Sequence, residues 1–203
     1  MIKTKMLTAL FLALAVNLNL GATIPNSPNE VQPIEIGSAV PAVTVQTTKG
    51  EAVQLDALTQ GNPSVIIFYR GGWCPYCTRH LAALGEIEPE LKARGYQLLA
   101  ISTDNAAHAA ATEADTKLGY QLLADPKMDA AKAFGLAYKV DQAMLDKLES
   151  YSIDIEAASG ETHHLLPVPA VFLTDANGKI TYRYFNVDYS VRLSPEELLK
   201  AAE

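Results

Sequence analysis

Cysteine is almost missing from this chain: there are two in 203 residues, Cys74 and Cys77, separated by two positions. A disulfide between them closes too short a loop to hold a domain of this size together. A chain of this length also buries enough apolar surface to need no staple. The pair is better explained by redox cycling than by structure. Acidic residues are missing from one stretch. Asp and Glu number 23, yet none falls from Ala57 to Gly85, the window that holds both cysteines, Arg70 and Arg79. A membrane-spanning run is missing too. The apolar stretch from Met6 to Val16 is well short of the ~20 residues a bilayer crossing needs. No cysteine lies near it to accept a lipid, which excludes a lipoprotein. Basic residues are outnumbered 16 to 23, and the net charge of −7 offers no general attraction for phosphate backbones. Nucleic-acid binding is excluded on that ground.

What the N-terminus does have is the layout of a secretory signal. Lys3 and Lys5 precede the apolar stretch, and small and polar residues lead to Gly21-Ala22. The expectation is cleavage after Ala22 and export to the periplasm or another extracytoplasmic space, with no stable membrane association afterwards. Residues 23–35, rich in Pro, Asn and Ser, read as a flexible leader. Residues 36–203 read as one folded domain.

The chemistry concentrates in Phe68-Tyr69-Arg70-Gly71-Gly72-Trp73-Cys74-Pro75-Tyr76-Cys77. Val65 to Tyr69 is a β-branched, apolar run and reads as a buried strand. Leu81, Leu84, Ile87 and Leu91 follow at helical spacing. The cysteines therefore fall at a strand-to-helix turn, where unpaired N–H groups and the helix dipole favour a thiolate. Pro75 suits the first helical turn, where its missing N–H costs nothing. Nearby cations lower the thiol further. Cys74 is the expected attacking sulfur and Cys77, one turn on, the resolving one.

The rest of the domain alternates strands and helices. Val43–Gln46 and Ala52–Leu55 flank Lys49-Gly50 as a hairpin. The helix after Cys77 runs to about Arg94, with Pro89 kinking or restarting it. Gln97–Ser102 is a buried strand, and Asn105–Leu118 a helix with Asp104 as its expected cap. Gln121–Ala124 is a short strand, and Asp125-Pro126 opens a helix to Phe134. Lys139–Gly160 reads as an insertion over one end of the sheet, helical from Asp141 to Glu149 and loop-like beyond. Ala170–Thr174 and Lys179–Phe185 pair across Asp175-Ala176-Asn177-Gly178. Ser194-Pro195-Glu196-Glu197 is a capping box opening the last helix. The pattern predicts an α/β layered domain with parallel strands.

The strand, the Trp-Cys-Pro-x-Cys turn, the helix and a later proline before a strand resemble the thioredoxin fold. More narrowly, the chain resembles the peroxiredoxin-like branch of the alkyl-hydroperoxide-reductase/thiol-specific-antioxidant (redoxin) family. The features that carry this are Gly37…Pro41, the Phe68–Cys77 stretch, Pro167-Val168-Pro169-Ala170-Val171-Phe172 and Asp188-Tyr189…Arg192. The resemblance implies a central mixed sheet flanked by helices, an N-terminal hairpin extension, and an insertion before a strand preceded by a cis-proline. Pro169 is the expected cis residue, with Pro167 the competitor. It further implies a hydroperoxide substrate, a Cys74 sulfenic acid, a Cys74–Cys77 disulfide, and recycling by a thioredoxin-like dithiol protein, with no bound cofactor. The chain departs from the typical pattern in three places. Ile67 and Gly71 stand where a proline and a Thr or Ser are usual, and Pro169 stands in the region that usually supplies an arginine. Arg70 and Arg192 are the candidate substitutes.

Two rivals remain open at this stage. A periplasmic thiol–disulfide oxidoreductase would use the same turn on protein disulfides. Alternatively, Cys74, Cys77 and His80 would ligate a metal, completed by His163 or His164. A c-type haem site is excluded because Thr78, not His, follows Cys77. Trp73 and Tyr76 suit either an apolar rim for a partner or core packing, and Glu86 reads as a surface carboxylate.

Overall fold

The computed structural model describes residues 23–203; the expected signal segment, 1–22, lies outside them. Nine strands and eight helices follow in order among the described residues: β1 (Thr44–Thr47), β2 (Ala52–Gln54), α1 (Leu55–Thr59), β3 (Ser64–Tyr69), α2 (Pro75–Glu86), α3 (Glu88–Ala93), β4 (Gln97–Ser102), α4 (Ala106–Thr116), β5 (Gln121–Ala124), α5 (Asp129–Ala133), β6 (Ala137–Lys139), α6 (Gln142–Ser150), α7 (Ile155–Ser159), β7 (Leu165–Pro167), β8 (Ala170–Thr174), β9 (Ile180–Phe185) and α8 (Pro195–Ala201). Seven strands form one mixed sheet in the order β2-β1-β5-β4-β3-β8-β9. β3, β4 and β5 run parallel, and β8 lies antiparallel to β3.

The interiors of the central strands are apolar because both faces of the sheet are covered. Alternate residues feed two separate cores. Ile66 and Phe68 of β3, Leu99 and Ile101 of β4 and Phe172 of β8 pack with Phe134 and Leu148 on one face. Val65, Ile67 and Tyr69 pack on the other face with both cysteines, Leu81 and Leu84 of α2, and Leu198 of α8. On the first face Phe68, Phe134 and Phe172 form an aromatic triangle, with ring centroids 4.8, 5.0 and 6.2 Å apart. The capping box of α8 is present, with Glu197 reaching back to the Ser194 N–H.

Several expectations change in physical detail. The restart expected at Pro89 is present, the helix breaking at Ile87 into α2 and α3 with Pro89 in the first turn of the second, but other details differ. The cap of α4 is Asn105, whose side chain accepts from the His108 N–H, not Asp104. The helix expected from Asp125 starts only at Asp129. Asp125 is buried instead and accepts from the Ala130 and Ala131 N–H groups. The segment expected to be loop after Glu149 contains α7, capped by Asp154. Ala137–Lys139 and Leu165–Pro167 form a separate two-stranded ribbon that brackets the insertion.

Residues 23–35, expected as a flexible leader, lie against the domain. The Ile34 N–H donates to the Phe134 carbonyl, and the Lys139 N–H to the Pro25 carbonyl. Arg183 holds the carbonyls of Pro33 and Ile34 at 2.6 and 3.0 Å. Val31 and Ile34 pack on the core. Two apolar anchors inside a polar composition are enough to seat the segment.

Pro169 is also a correction. No cis peptide occurs among the described residues. Between β7 and β8 the Val168 N–H donates to the Leu136 carbonyl, and trans is the ordinary preference even at proline.

Phe172→Ala should lower unfolding free energy by about 3–5 kcal/mol in urea denaturation, since it removes one corner of the aromatic triangle from a buried core.

Candidate active site

Strand β3 ends at Tyr69, and five residues later Cys74 takes the cap position of α2. Cys74 has extended backbone angles, φ −94° and ψ 111°, and its side chain makes no capping bond. Its carbonyl accepts from the N–H groups of Cys77 and Thr78, and its own N–H donates to the Gly71 carbonyl. The sulfur is thus free to sit at the positive end of a 12-residue helix. Pro75 occupies the start of that helix, as its chemistry favours.

Both thiols are reduced and buried, Cys74 at 2% exposure and Cys77 at 0%. Their surroundings separate them. The Cys77 S–H donates to the Cys74 sulfur, and this bond does most to bring Cys74 down to about 6, helped by the charges of Arg70 and Arg192 and opposed by burial. Cys77 moves up, first because it is buried and then because it holds the shared proton. The two groups are driven in opposite directions, Cys74 toward the thiolate and Cys77 toward the thiol.

Arg70 is 2% exposed, and its Nε and one terminal nitrogen, Nη2, are buried without hydrogen-bond partners. Its guanidinium lies over the rings of Tyr189 and Trp73, 4.2 and 5.1 Å from their centroids. Arg192 is fixed by its Nε on the Tyr189 carbonyl at 2.8 Å, and its Nη2 donates to the Cys77 sulfur at 3.3 Å. Both arginines singled out from the sequence therefore stand at the sulfurs, one on each. The β3–β8 register pairs Phe68 with Ala170, which puts Pro169 beside the end of β3.

Asp104, expected as a helix cap, lies under the redox turn. It is 1% exposed, accepts from the Gly72 N–H at 2.8 Å and from the Ser102 hydroxyl at 3.1 Å, and its Oδ1 has no partner. Burial raises its carboxyl above the usual range, against the pull of these donors. Oδ1 and the equally unpartnered Trp73 Nε1 stand over the Cα of Gly71. A Cβ at Gly71 would lie 2.7 Å from Trp73 Cε2 and 2.8 Å from Asp104 Oδ1. Here lies the reason a Thr or Ser is missing at this position: the indole and the carboxylate fill the space a side chain would need.

The metal alternative does not match the side chains present. His80, expected to face solvent or a metal, is buried with its Nε2–H donating to the Leu193 carbonyl. Burial and the Arg192 charge push it down to about 4, so it is neutral. His163 binds the Pro126 carbonyl, and His164 meets Glu156. Among the described residues no group of three metal-ligating side chains converges. Glu86 is exposed.

A family model described as "AhpC/TSA family" matches residues 36–183. The chain belongs to the AhpC/TSA family. Among curated family relatives, peroxiredoxin bcp1 of Schizosaccharomyces pombe is 28% identical over 102 residues, covering 50% of this chain and 52% of its own. The chloroplastic peroxiredoxin Q of Oryza sativa subsp. japonica is 27% identical over 150 residues, covering 74% and 58%. The alignments thus span little more than half the length of these relatives. Reduced Prx3 of Vibrio vulnificus in complex with H2O2 superposes with a TM-score of 0.69 at 22% identity, over 84% of this chain and 99% of that one. Peroxidoxin BcpB of Mycobacterium tuberculosis gives 0.63 at 20% identity, over 83% and 94%. The family fold is therefore the thioredoxin-like one.

Reading along the chain missed the other wall of the site. Cys74, Trp73 and Tyr76 line a cavity of about 430 Å³ closed on the far side by Met144, Leu148 and Tyr151. The signal was there as a helical stripe, since these residues recur at three- and four-residue spacing. Tyr189 was quoted only as part of a motif, yet its ring supports Arg70 and meets Tyr76 at 5.7 Å.

Two outcomes follow for this site. Cys74 should be alkylated by iodoacetamide with a rate that rises through a midpoint near pH 6, because only the thiolate reacts, while Cys77 stays protected in the folded protein. Asp104→Ala should cost about 1–3 kcal/mol in urea unfolding, because the Gly72 N–H and Ser102 hydroxyl lose a buried acceptor.

Proposed function

We propose that this protein is an exported thiol peroxidase that reduces hydroperoxides through Cys74. The observation that carries the reading is the arrangement of one shared proton and two cations: Cys77 donates to Cys74, and Arg70 stands beside it with nitrogens left unpaired. The Cys74 thiolate attacks the terminal oxygen of the peroxide. The O–O bond breaks, the sulfur becomes a sulfenic acid, and the departing alkoxide or hydroxide takes up a proton. Arg70 supplies positive charge where the departing oxygen turns negative, in a buried setting where that charge counts most. Arg192, held on Cys77, favours its thiolate when it condenses with the sulfenic acid; water leaves and the disulfide forms. An external thioredoxin-like dithiol then restores both thiols by exchange. Peroxiredoxin names and family membership support the reaction, and the lysine-flanked apolar leader at 1–22 supports export to the periplasm or an equivalent space.

Burial favours this reading over protein disulfide exchange. A peroxide fits into a cavity, whereas a protein disulfide must meet its nucleophile at the surface, and Cys74 keeps only 2% exposure. Recycling accordingly calls for the first turn of α2 to open after oxidation.

Stopped-flow reaction with hydrogen peroxide is the test. Wild type should consume it far faster than free thiol, Cys74→Ser should be inactive, and Cys77→Ser should react once and stop at a sulfenic acid trapped by dimedone. Reduction of insulin disulfides without peroxide consumption above that of free thiol would establish the exchange activity instead. An inactive Cys77→Ser beside an active Cys74→Ser would reverse the two assignments.

A further inference from the structure

The cavity at Cys74 has walls of a kind that hydrogen peroxide does not need. Trp73, Tyr76 and Tyr189 stand on one side, and Met144, Leu148 and Ile153 on the other. Such a lining gains its free energy from apolar substrate surface. Its charge is one-sided as well. The two charged residues on it are Arg70 and Lys147, both cations, in a chain whose acids outnumber its bases.

These cations are differently placed. Arg70 is buried and lines the cavity together with Cys74, with Nε and Nη2 unpaired. Lys147 is exposed on α6, on the face that carries Met144, Leu148 and Tyr151, and its nearest polar contact is the Tyr189 hydroxyl at 3.4 Å. Among the described residues neither is in an ion pair. The acids of α6 do not compensate Lys147. Asp146 is bound by Gln142, and Glu149 falls off the cavity face. Both cations lie against the same Tyr189 ring, the guanidinium 4.2 Å and the ammonium 5.9 Å from its centroid. An apolar chamber thus has a reactive sulfur and a cation at its floor and a second, uncommitted cation at its rim.

We propose that this cavity selects an organic hydroperoxide that bears a carboxylate, with Lys147 as the residue that reads the negative group. This rests on the peroxidase reading of Cys74. The hydroperoxide end meets Cys74 and Arg70, the hydrocarbon lies against Trp73 and Leu148, and the carboxylate reaches Lys147 at the rim. The chemistry is unchanged: the Cys74 thiolate takes the terminal oxygen and becomes the sulfenic acid, and the carboxylated alkoxide leaves and is protonated to the alcohol. Lys147 takes no part in bond breaking, so its contribution belongs to binding.

The test compares para-carboxylated cumene hydroperoxide with its methyl ester, which differ in charge and little in shape. The readout is the ratio of kcat/KM for acid over ester, taken within each protein so that changes in overall activity cancel. Wild type should prefer the acid by roughly five-fold at low salt, the size of a partly exposed ion pair, and the preference should shrink as ionic strength rises. Lys147→Gln should bring the ratio to about one, Lys147→Glu should invert it, and Lys147→Arg should restore it. Equal rates for acid and ester in wild type, or a preference that survives in both Lys147→Gln and Lys147→Glu, would overturn the proposal. Failure of the wild-type protein to reduce hydrogen peroxide, the ester and the acid alike would instead remove the peroxidase reading, and this inference with it.

Discussion

A proton held between two sulfurs at the mouth of α2 is the interaction on which the chemistry of this protein depends. Neither thiol would be useful alone in so buried a place, because burial raises a thiol and makes its anion costly. The Cys77 S–H solves this by hydrogen-bonding the Cys74 anion, while the helix end and two arginines supply the remaining positive potential. The solution has a directional consequence. The charge that Cys77 helps Cys74 to carry is charge that Cys77 itself cannot carry, so the two thiols are pushed in opposite directions.

The sheet makes that geometry possible by dividing the molecule. Alternation along β3 sends Tyr69 to the side of the cysteines and Phe68 to the opposite side, and the turn after Tyr69 leaves the sheet at its parallel end. Two neighbouring strands then serve one turn: β3 leads into it, and β4 carries Asp104 to its underside just past Ser102. Asp104 and Trp73 together occupy the volume above Gly71. The family's usual hydroxyl is lost there, and a rigid support for the turn stands in its place.

Much of this was legible in the residues themselves. The β-branched run Val65–Tyr69, the two hairpins and the Ser194 capping box each rest on local rules, and local rules were enough. The cysteines stood out because charge and spacing both pointed at them. The misreadings share a different cause. Asp104 satisfies the local grammar of a helix cap, and only the approach of Gly72 from 32 residues away reassigns it. His80 looked exposed until Leu193 from 113 residues away closed over it. Residues 23–35 lack periodicity, yet Arg183 from 150 residues on grips their backbone. In these three cases a contact distant in sequence outvoted a sound local preference; the proline before β8 suggested a cis bond, and the described residues hold none.

Trp73 is the sole tryptophan of the chain, covalently next to Cys74 and stacked beneath the Arg70 guanidinium. Excited at the red edge of the aromatic absorption, where the nine tyrosines scarcely absorb, the molecule therefore emits from a single point, the residue bonded directly to Cys74. An opening of the turn that precedes α2 would thus register in the light of an intrinsic residue, with no dye or label attached.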